Sequence, residues 1–187
     1  LPESGSLDLQ AFYHEYEAGT LDIYEYQRFA LAPLVGRDQQ TLQSWHRHFM
    51  QKKIEPIILP AGRELLRRHR QQGDYLLIIT ATNRFVTGPI ADALGVDELL
   101  ATEPEFRDGA YTGEVVGIPS FREGKVRRLE QWLEKSGFNL EGSAFYSDSH
   151  NDLPLLEMVQ RPVAVDPDDT LAAHARAKGW EIITLRR

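Results

Sequence analysis

Apolar positions in the first third of the chain recur at helical spacing. Leu9, Phe12, Tyr13 and Tyr16 follow i, i+3, i+4, i+7, and Gly19 closes that stripe. Ile23, Tyr26, Ala30 and Leu34 make a second stripe that ends at Gly36. Asp38 is placed to cap a third helix, in which Leu42, Trp45, Phe49 and Ile54 face one way. Residues 1–60 therefore read as helices only. They hold 8 of the 18 aromatic residues. The plain expectation is a small helical bundle around an aromatic core, and the sharper one is an aromatic-lined lid.

From about residue 61 the pattern changes to an alternation of helix and strand. A helix over 61–72 stops at Gly73, and the apolar run Leu76-Leu77-Ile78-Ile79 predicts a buried strand over 75–80. A helix over 86–94 ends at Gly95, and a short strand follows at 99–102. Asp108-Gly109 marks a hairpin turn. Val126, Leu129, Trp132 and Leu133 predict a helix over 122–136 that ends at Gly137. Strands are expected at 144–147, 162–165 and 181–185, with helices from about Asp152 and over 167–178. Such alternation predicts an α/β fold, with a doubly wound, mainly parallel sheet beside a small all-helical unit. The expected boundaries are 1–60 for the helical unit and 61–187 for the α/β core.

Composition narrows the function classes. The 187 residues carry a formal charge of −7, with 21 Lys+Arg against 28 Asp+Glu. An acidic chain is a poor nucleic-acid scaffold or anionic-membrane binder, so neither partner is expected. There is no cysteine, which excludes thiolate metal sites, disulfides and a Cys nucleophile. No apolar run approaches the roughly 18 residues of a membrane span. Leu1-Pro2-Glu3-Ser4-Gly5 lacks the basic and apolar regions of a signal peptide, so a cytoplasmic protein is expected.

In open α/β sheets ligands bind beyond the carboxyl ends of the strands. The first such end is Thr80-Ala81-Thr82-Asn83, where hydroxyls and free N–H groups before a helix suit phosphate, or form an ordinary capped turn. The second is Ser147-Asp148-Ser149-His150-Asn151-Asp152. Two carboxylates four residues apart on one loop are hard ligands of the kind Mg²⁺ takes, and they repel one another without a cation. Capping by Asn151 or Asp152 is the plainer alternative. Lys125 opens a helix, against the helix dipole, where it can neutralise a phosphate or a carboxylate or simply be solvated. His46 and His48, two apart on a helix, make a poor metal pair. His150 reads as a loop residue, Asp166-Pro167-Asp168-Asp169 as helix capping, and the run Arg67-Arg68-His69-Arg70 as a solvated face.

Taken in order, a strand ending in Thr80, a Lys 45 residues later and a strand ending in Asp148-x-x-Asn151-Asp152 resemble motifs two to four of the haloacid dehalogenase phosphatase superfamily. The likeness is closest to its phosphoserine-phosphatase-like branch, whose members carry a helical cap. Ile79-Thr80-Ala81-Thr82-Asn83-Arg84-Phe85 and Tyr146-Ser147-Asp148-Ser149-His150-Asn151-Asp152-Leu153-Pro154-Leu155-Leu156 are also similar to a bacterial subgroup that includes histidinol-phosphate phosphatases. The resemblance implies that residues 1–60 are the cap and 61–187 most of the core. It implies hydrolysis of a small phosphorylated metabolite through an aspartyl-phosphate, with histidinol phosphate first and phosphoserine next as substrate. It implies phosphate held by Thr80, Ala81, Thr82, Asn83 and Lys125, Mg²⁺ held by Asp148 and Asp152, and Asn151 orienting Lys125 or the metal shell.

One element of that pattern has no counterpart. The family's first motif, an apolar strand followed by Asp-x-Asp, is not found in residues 1–187. Asp8 and Asp22 follow no apolar strand. The resemblance therefore implies that the nucleophile, the general acid/base and the central strand lie outside this stretch. These residues alone are then expected to be inactive. A non-catalytic module that binds a phosphate ligand or a protein is the alternative. A receiver-type phosphoacceptor domain shares the sheet, but the helical region and the late pair of carboxylates argue against it.

Overall fold

The structure, a computed structural model, describes the backbone of residues 3–186 and the side chains of 9–186. Leu1 and Pro2, and the side chain of Asp8, lie outside the described residues. The helical region comprises α1 (Glu3–Ala18), α2 (Ile23–Leu31) and α3 (Gln39–Phe49). A 3₁₀ turn, Ala32–Leu34, follows α2, and a π turn, Met50–Ile54, carries α3 onward. Asp22 caps α2 by accepting the N–H groups of Tyr24 and Glu25, and Asp38 caps α3 through Thr41.

The core then runs α4 (Pro60–Gln72), β1 (Leu77–Asn83), α5 (Arg84–Leu94), β2 (Glu98–Arg107) and β3 (Ala110–Val116). It continues through α6 (Glu123–Ser136), β4 (Ala144–Ser147), α7 (Leu153–Leu156), β5 (Arg161–Val165), α8 (Asp169–Lys178) and β6 (Glu181–Ile183). The alternation expected from the sequence is present, but several elements differ in extent: β1 lies at 77–83 rather than 75–80, β6 ends at Ile183 rather than 185, and β2 and α7 depart further. β2 continues to Arg107 because it serves two neighbours, β1 in parallel and then β3 antiparallel. Pro104 lies within that second half and interrupts the apolar alternation by which a strand is recognised. α7 is only one turn long, because Ser149 and the 3₁₀ turn His150–Asp152 take up the start of the segment. The hairpin turns at Asp108-Gly109, both at positive φ (51° and 84°), as a two-residue turn between twisted strands requires.

The described strands form two three-stranded sheets, β1-β2-β3 and β4-β5-β6, the second wholly parallel. β1 and β4 each keep one edge without a strand partner among the described residues. Ile79-Thr80-Ala81-Thr82 of β1, and Phe145-Tyr146-Ser147 of β4 with Asp148 just after it, line one cavity of about 700 Å³. His69 of α4 spans the two halves, bonding Asp74 at 2.6 Å and the Tyr146 hydroxyl of β4 at 2.7 Å.

Three apolar clusters hold the chain together. Leu156, Ala164, Leu171 and Ala175 lie beneath the second sheet, and Ala91, Leu99 and Ala101 beneath the first. The third departs from the expected aromatic bundle. Leu31, Leu34 and Leu42 pack with Phe85, Tyr111 and Val115, so the helical region shares its core with α5 and the hairpin. The buried residues of α2, Gln27 and Leu31, lie one position on from the expected Tyr26 and Ala30, while Leu34, in the 3₁₀ turn, is buried as expected. The cause is Gln27, whose amide donates to the Ala81 carbonyl at 2.9 Å and draws a polar residue inward.

Candidate functional site

The first wall of the cavity is the turn that ends β1. Ile79 pairs with Leu100 and Asn83 with Thr102, so residues 80–82 of β1 face a single residue of β2. This bulge re-aims the strand end, as bulges near sites do. The Thr82 N–H donates to Thr80 Oγ1 at 3.2 Å, which leaves the Thr80 hydroxyl its own proton to give to a ligand. Thr80, Ala81 and Thr82 line the cavity. Asn83 is not among its lining; it is buried and caps α5 by accepting the Val86 N–H at 3.2 Å.

Lys125 comes from the first turn of α6. The loop before it is closely packed: a Cβ on Gly124 would lie 2.0 Å from the Pro119 carbonyl oxygen. Arg122 in the same loop takes a positive φ of 49°, unusual for a residue with a Cβ, and its guanidinium donates to the Gly19 carbonyl at 2.9 Å. The Lys125 ammonium is 8% exposed as a residue and lies 2.5 Å from Asp152 Oδ1. That carboxylate also explains how a Lys is tolerated at a helix start.

The third wall is the loop after β4. Asp148 is exposed and opens into the cavity; Asp152 is buried, and its second oxygen accepts the Ser147 hydroxyl at 2.7 Å. Ser149 Oγ accepts the Asn151 N–H and the Tyr16 hydroxyl, which joins the end of α1 to this loop. The Asn151 side chain does not line the cavity; its amide donates to the Tyr16 carbonyl at 3.3 Å, and its oxygen is buried with no partner among the described residues.

Asp168, read from sequence as a helix cap, does cap α8 through the Leu171 N–H, but its other oxygen has a second task. It accepts the His150 N–H at 2.7 Å and faces the His150 ring at 2.9 Å, while the Asp168 N–H donates to the Asp148 carbonyl. Burial pushes the Asp168 carboxyl up, but the bonds from Leu171 and His150 outweigh it and hold it below the usual range. The capping signal in the sequence was correct; the second task depends on a loop 18 residues away.

Helices α1 and α2 close the cavity with Leu9, Phe12, Tyr13, Tyr16, Ile23 and Tyr26, joined by Gln10 and His14. Burial pushes the Tyr26 phenol up, so it stays a neutral donor. No group of three His, Asp or Glu side chains able to hold a metal occurs among the described residues. Asp148 and Asp152 nevertheless present two carboxylates to one cavity. Mg²⁺ takes hard oxygen ligands and keeps waters, so the pair fits part of such a site.

Comparison with known proteins identifies the family and the fold. Residues 3–157 match the haloacid dehalogenase-like hydrolase family. The chain is 42% identical to a histidinol-phosphatase of Neisseria meningitidis serogroup C over 181 residues, 95% of this chain and 82% of that protein. It is 35% identical to a phosphoserine phosphatase of Mycobacterium tuberculosis over 88% of this chain and 54% of that one. Among solved structures, a protein of unknown function from Bordetella pertussis Tohama I superposes with a TM-score of 0.91 at 43% identity, over 98% of this chain and 84% of that chain. A phosphoserine phosphatase solved as an analogue of its phospho-aspartyl intermediate shares the fold at a TM-score of 0.69 and 18% identity, over 96% of this chain and 80% of that one.

Proposed function

Starting from a chain that belongs to the haloacid dehalogenase-like hydrolase family and is a phosphatase of it, we propose an Mg²⁺-dependent phosphomonoesterase acting on a small metabolite, histidinol phosphate first. The observation that carries this reading is one cavity fed by three separate segments: the hydroxyl-rich turn at 80–82, Lys125, and the carboxylates Asp148 and Asp152. Phosphate needs donors and positive charge, and these residues supply both.

Thr80 Oγ and the N–H groups of the turn hold the phosphoryl oxygens, and the Lys125 ammonium lies against the charge they develop. Asp148 and Asp152 would hold Mg²⁺, which supplies further charge neutralisation when bound. Ser147 keeps one oxygen of Asp152 oriented. The attacking carboxylate comes, on this reading, from a strand outside residues 1–187 seated between the open edges of β1 and β4. The aspartyl-phosphate route implied by the family resemblance then has its nucleophile beside Thr80 and Lys125. α1 and α2 act as the cap and exclude water from the leaving group.

The cap wall favours one leaving group. Its described lining residues are aromatic and aliphatic, with Gln10 and His14, and include no Lys or Arg to pair with a substrate carboxylate. Phosphoserine carries such a carboxylate; histidinol phosphate does not, and its imidazole and amine suit aromatic faces. The 42% identity to a histidinol-phosphatase points the same way.

The test uses the protein extended to include the strand. Its kcat/KM is measured on histidinol phosphate and on O-phosphoserine, with Mg²⁺ and with a chelator. The expected result is metal-dependent hydrolysis that prefers histidinol phosphate. A preference for phosphoserine would overturn the substrate, and activity untouched by the chelator would overturn the metal.

A further inference from the structure

The bulge at residues 80–82 leaves the Ala81 carbonyl outside the regular β1–β2 ladder. A half-buried carbonyl that leaves the ladder still requires partners. It finds two, both side chains: Thr102 Oγ1 at 2.9 Å and Gln27 Nε2 at 2.9 Å. Thr102 Oγ1 in turn accepts the Ser120 N–H at 3.0 Å. Gln27, Thr102 and Ser120 are all 0% exposed. A hydroxyl has one proton, so the direction of this chain is set: Ser120 donates to Thr102, and Thr102 donates to Ala81.

The four residues belong to four different parts of the fold. Ala81 is in the phosphate turn, Thr102 in β2, Ser120 in the loop five residues before Lys125, and Gln27 in α2. Nothing in the apolar packing requires a polar column here. The loop of Ser120 is otherwise confined by the Pro119–Gly124 contact, so a shift of Ser120 is passed to the start of α6. We infer that Thr102, with Gln27 behind it, is a positioning residue that locks the phosphate turn and the Lys125 loop into one unit. Neither side chain lines the cavity, so both act through the groups they hold. The inference deepens the phosphatase reading and rests on it.

Thr102→Val keeps the shape and removes both hydrogen bonds; Thr102→Ser keeps them. Gln27→Met removes the second donor, and Leu171→Val, at a buried side chain that neither lines the cavity nor joins the column, serves as the control for lost stability. Each is made in the protein that includes the nucleophile strand. Inorganic phosphate affinity, kcat and KM for p-nitrophenyl phosphate, and hydrogen exchange at the Ser120 amide are measured.

Thr102→Val is expected to weaken phosphate binding and lower kcat by about tenfold each, with faster exchange at Ser120. Thr102→Ser is expected to stay within about twofold of the parent, Gln27→Met to fall between, and Leu171→Val to leave kinetics unchanged. If Thr102→Val does not fold, Gln27→Met decides by the same readouts. Parent-like kinetics and exchange in the decisive variant, or equal losses in Leu171→Val, would overturn the inference alone. A parent protein that neither binds phosphate nor hydrolyses its esters would overturn the phosphatase reading, and the inference with it.

Discussion

The Lys125 ammonium lies 2.5 Å from one oxygen of Asp152, and both side chains are about nine-tenths buried. Two residues 27 positions apart thus place a positive and a negative charge at the floor of the cavity, each compensating a desolvation the other would suffer alone. On the proposed phosphatase reading, the ammonium would face the phosphate and the carboxylate the cation.

Removing one member of this pair is costly. Lys125→Met leaves Asp152 buried without its countercharge and is expected to lower folding stability by about 3–5 kcal/mol, read by urea denaturation. Adding Asp152→Leu to Lys125→Met should recover much of that loss while activity stays absent. Equal stability of Lys125→Met and the parent would contradict a buried, coupled pair.

Asp148 makes the opposite prediction. Its side chain is exposed and makes no ion pair among the described residues, so Asp148→Asn should melt within a degree or two of the parent. Mg²⁺ titration by calorimetry should nevertheless show the affinity much reduced, and turnover should fall with it. A variant that binds Mg²⁺ as the parent does would remove Asp148 from the ligand set.

Gly124→Ala places a methyl group 2.0 Å from the Pro119 carbonyl oxygen. The backbone must move to admit it, with an expected loss of about 1–3 kcal/mol. Because that movement starts one residue before Lys125, kcat should drop more than the stability loss alone accounts for, seen by assaying well below the melting temperature.

Acid should loosen the cap of α3. Hydrogen bonds from the Thr41 backbone and hydroxyl hold the Asp38 carboxyl below its usual 3.8. Its stabilisation is therefore fully present above that usual value and disappears as pH falls through the lower folded-state value. Melting curves of the parent and Asp38→Ala should be separated at neutral pH and converge in acid; a separation that widens in acid would reverse the assignment.

The core of the helical region depends on α2. Leu31 is fully buried against Leu34 and Leu42, so Leu31→Ala is expected to cost about 2–5 kcal/mol by chemical denaturation. Since this cluster also includes Tyr111 and Val115 of the hairpin, the unfolding should remain a single transition. A separate early transition of the helices would show that they form their own core.

Local signals in the sequence determined most of the elements. Gly19, Gly73, Gly95, Gly137 and Gly179 end helices at positive φ because only glycine enters that region freely, and this is readable at single positions. Asp108-Gly109 specified its hairpin in the same way. The order Thr80, Lys125, Asp148, Asp152 was also legible, because each residue follows a strand or opens a helix, where ligands are expected. Contacts that join distant segments were not legible. The burial of Gln27, the second task of Asp168, the withdrawal of Asn83 and Asn151 from the cavity, and the column through Thr102 all pair groups far apart in the chain. A polar residue gives no sign in sequence of whether water or a remote carbonyl will satisfy it. Only the tertiary structure brings that partner near, and the cost of leaving a buried polar group unpaired then decides its role.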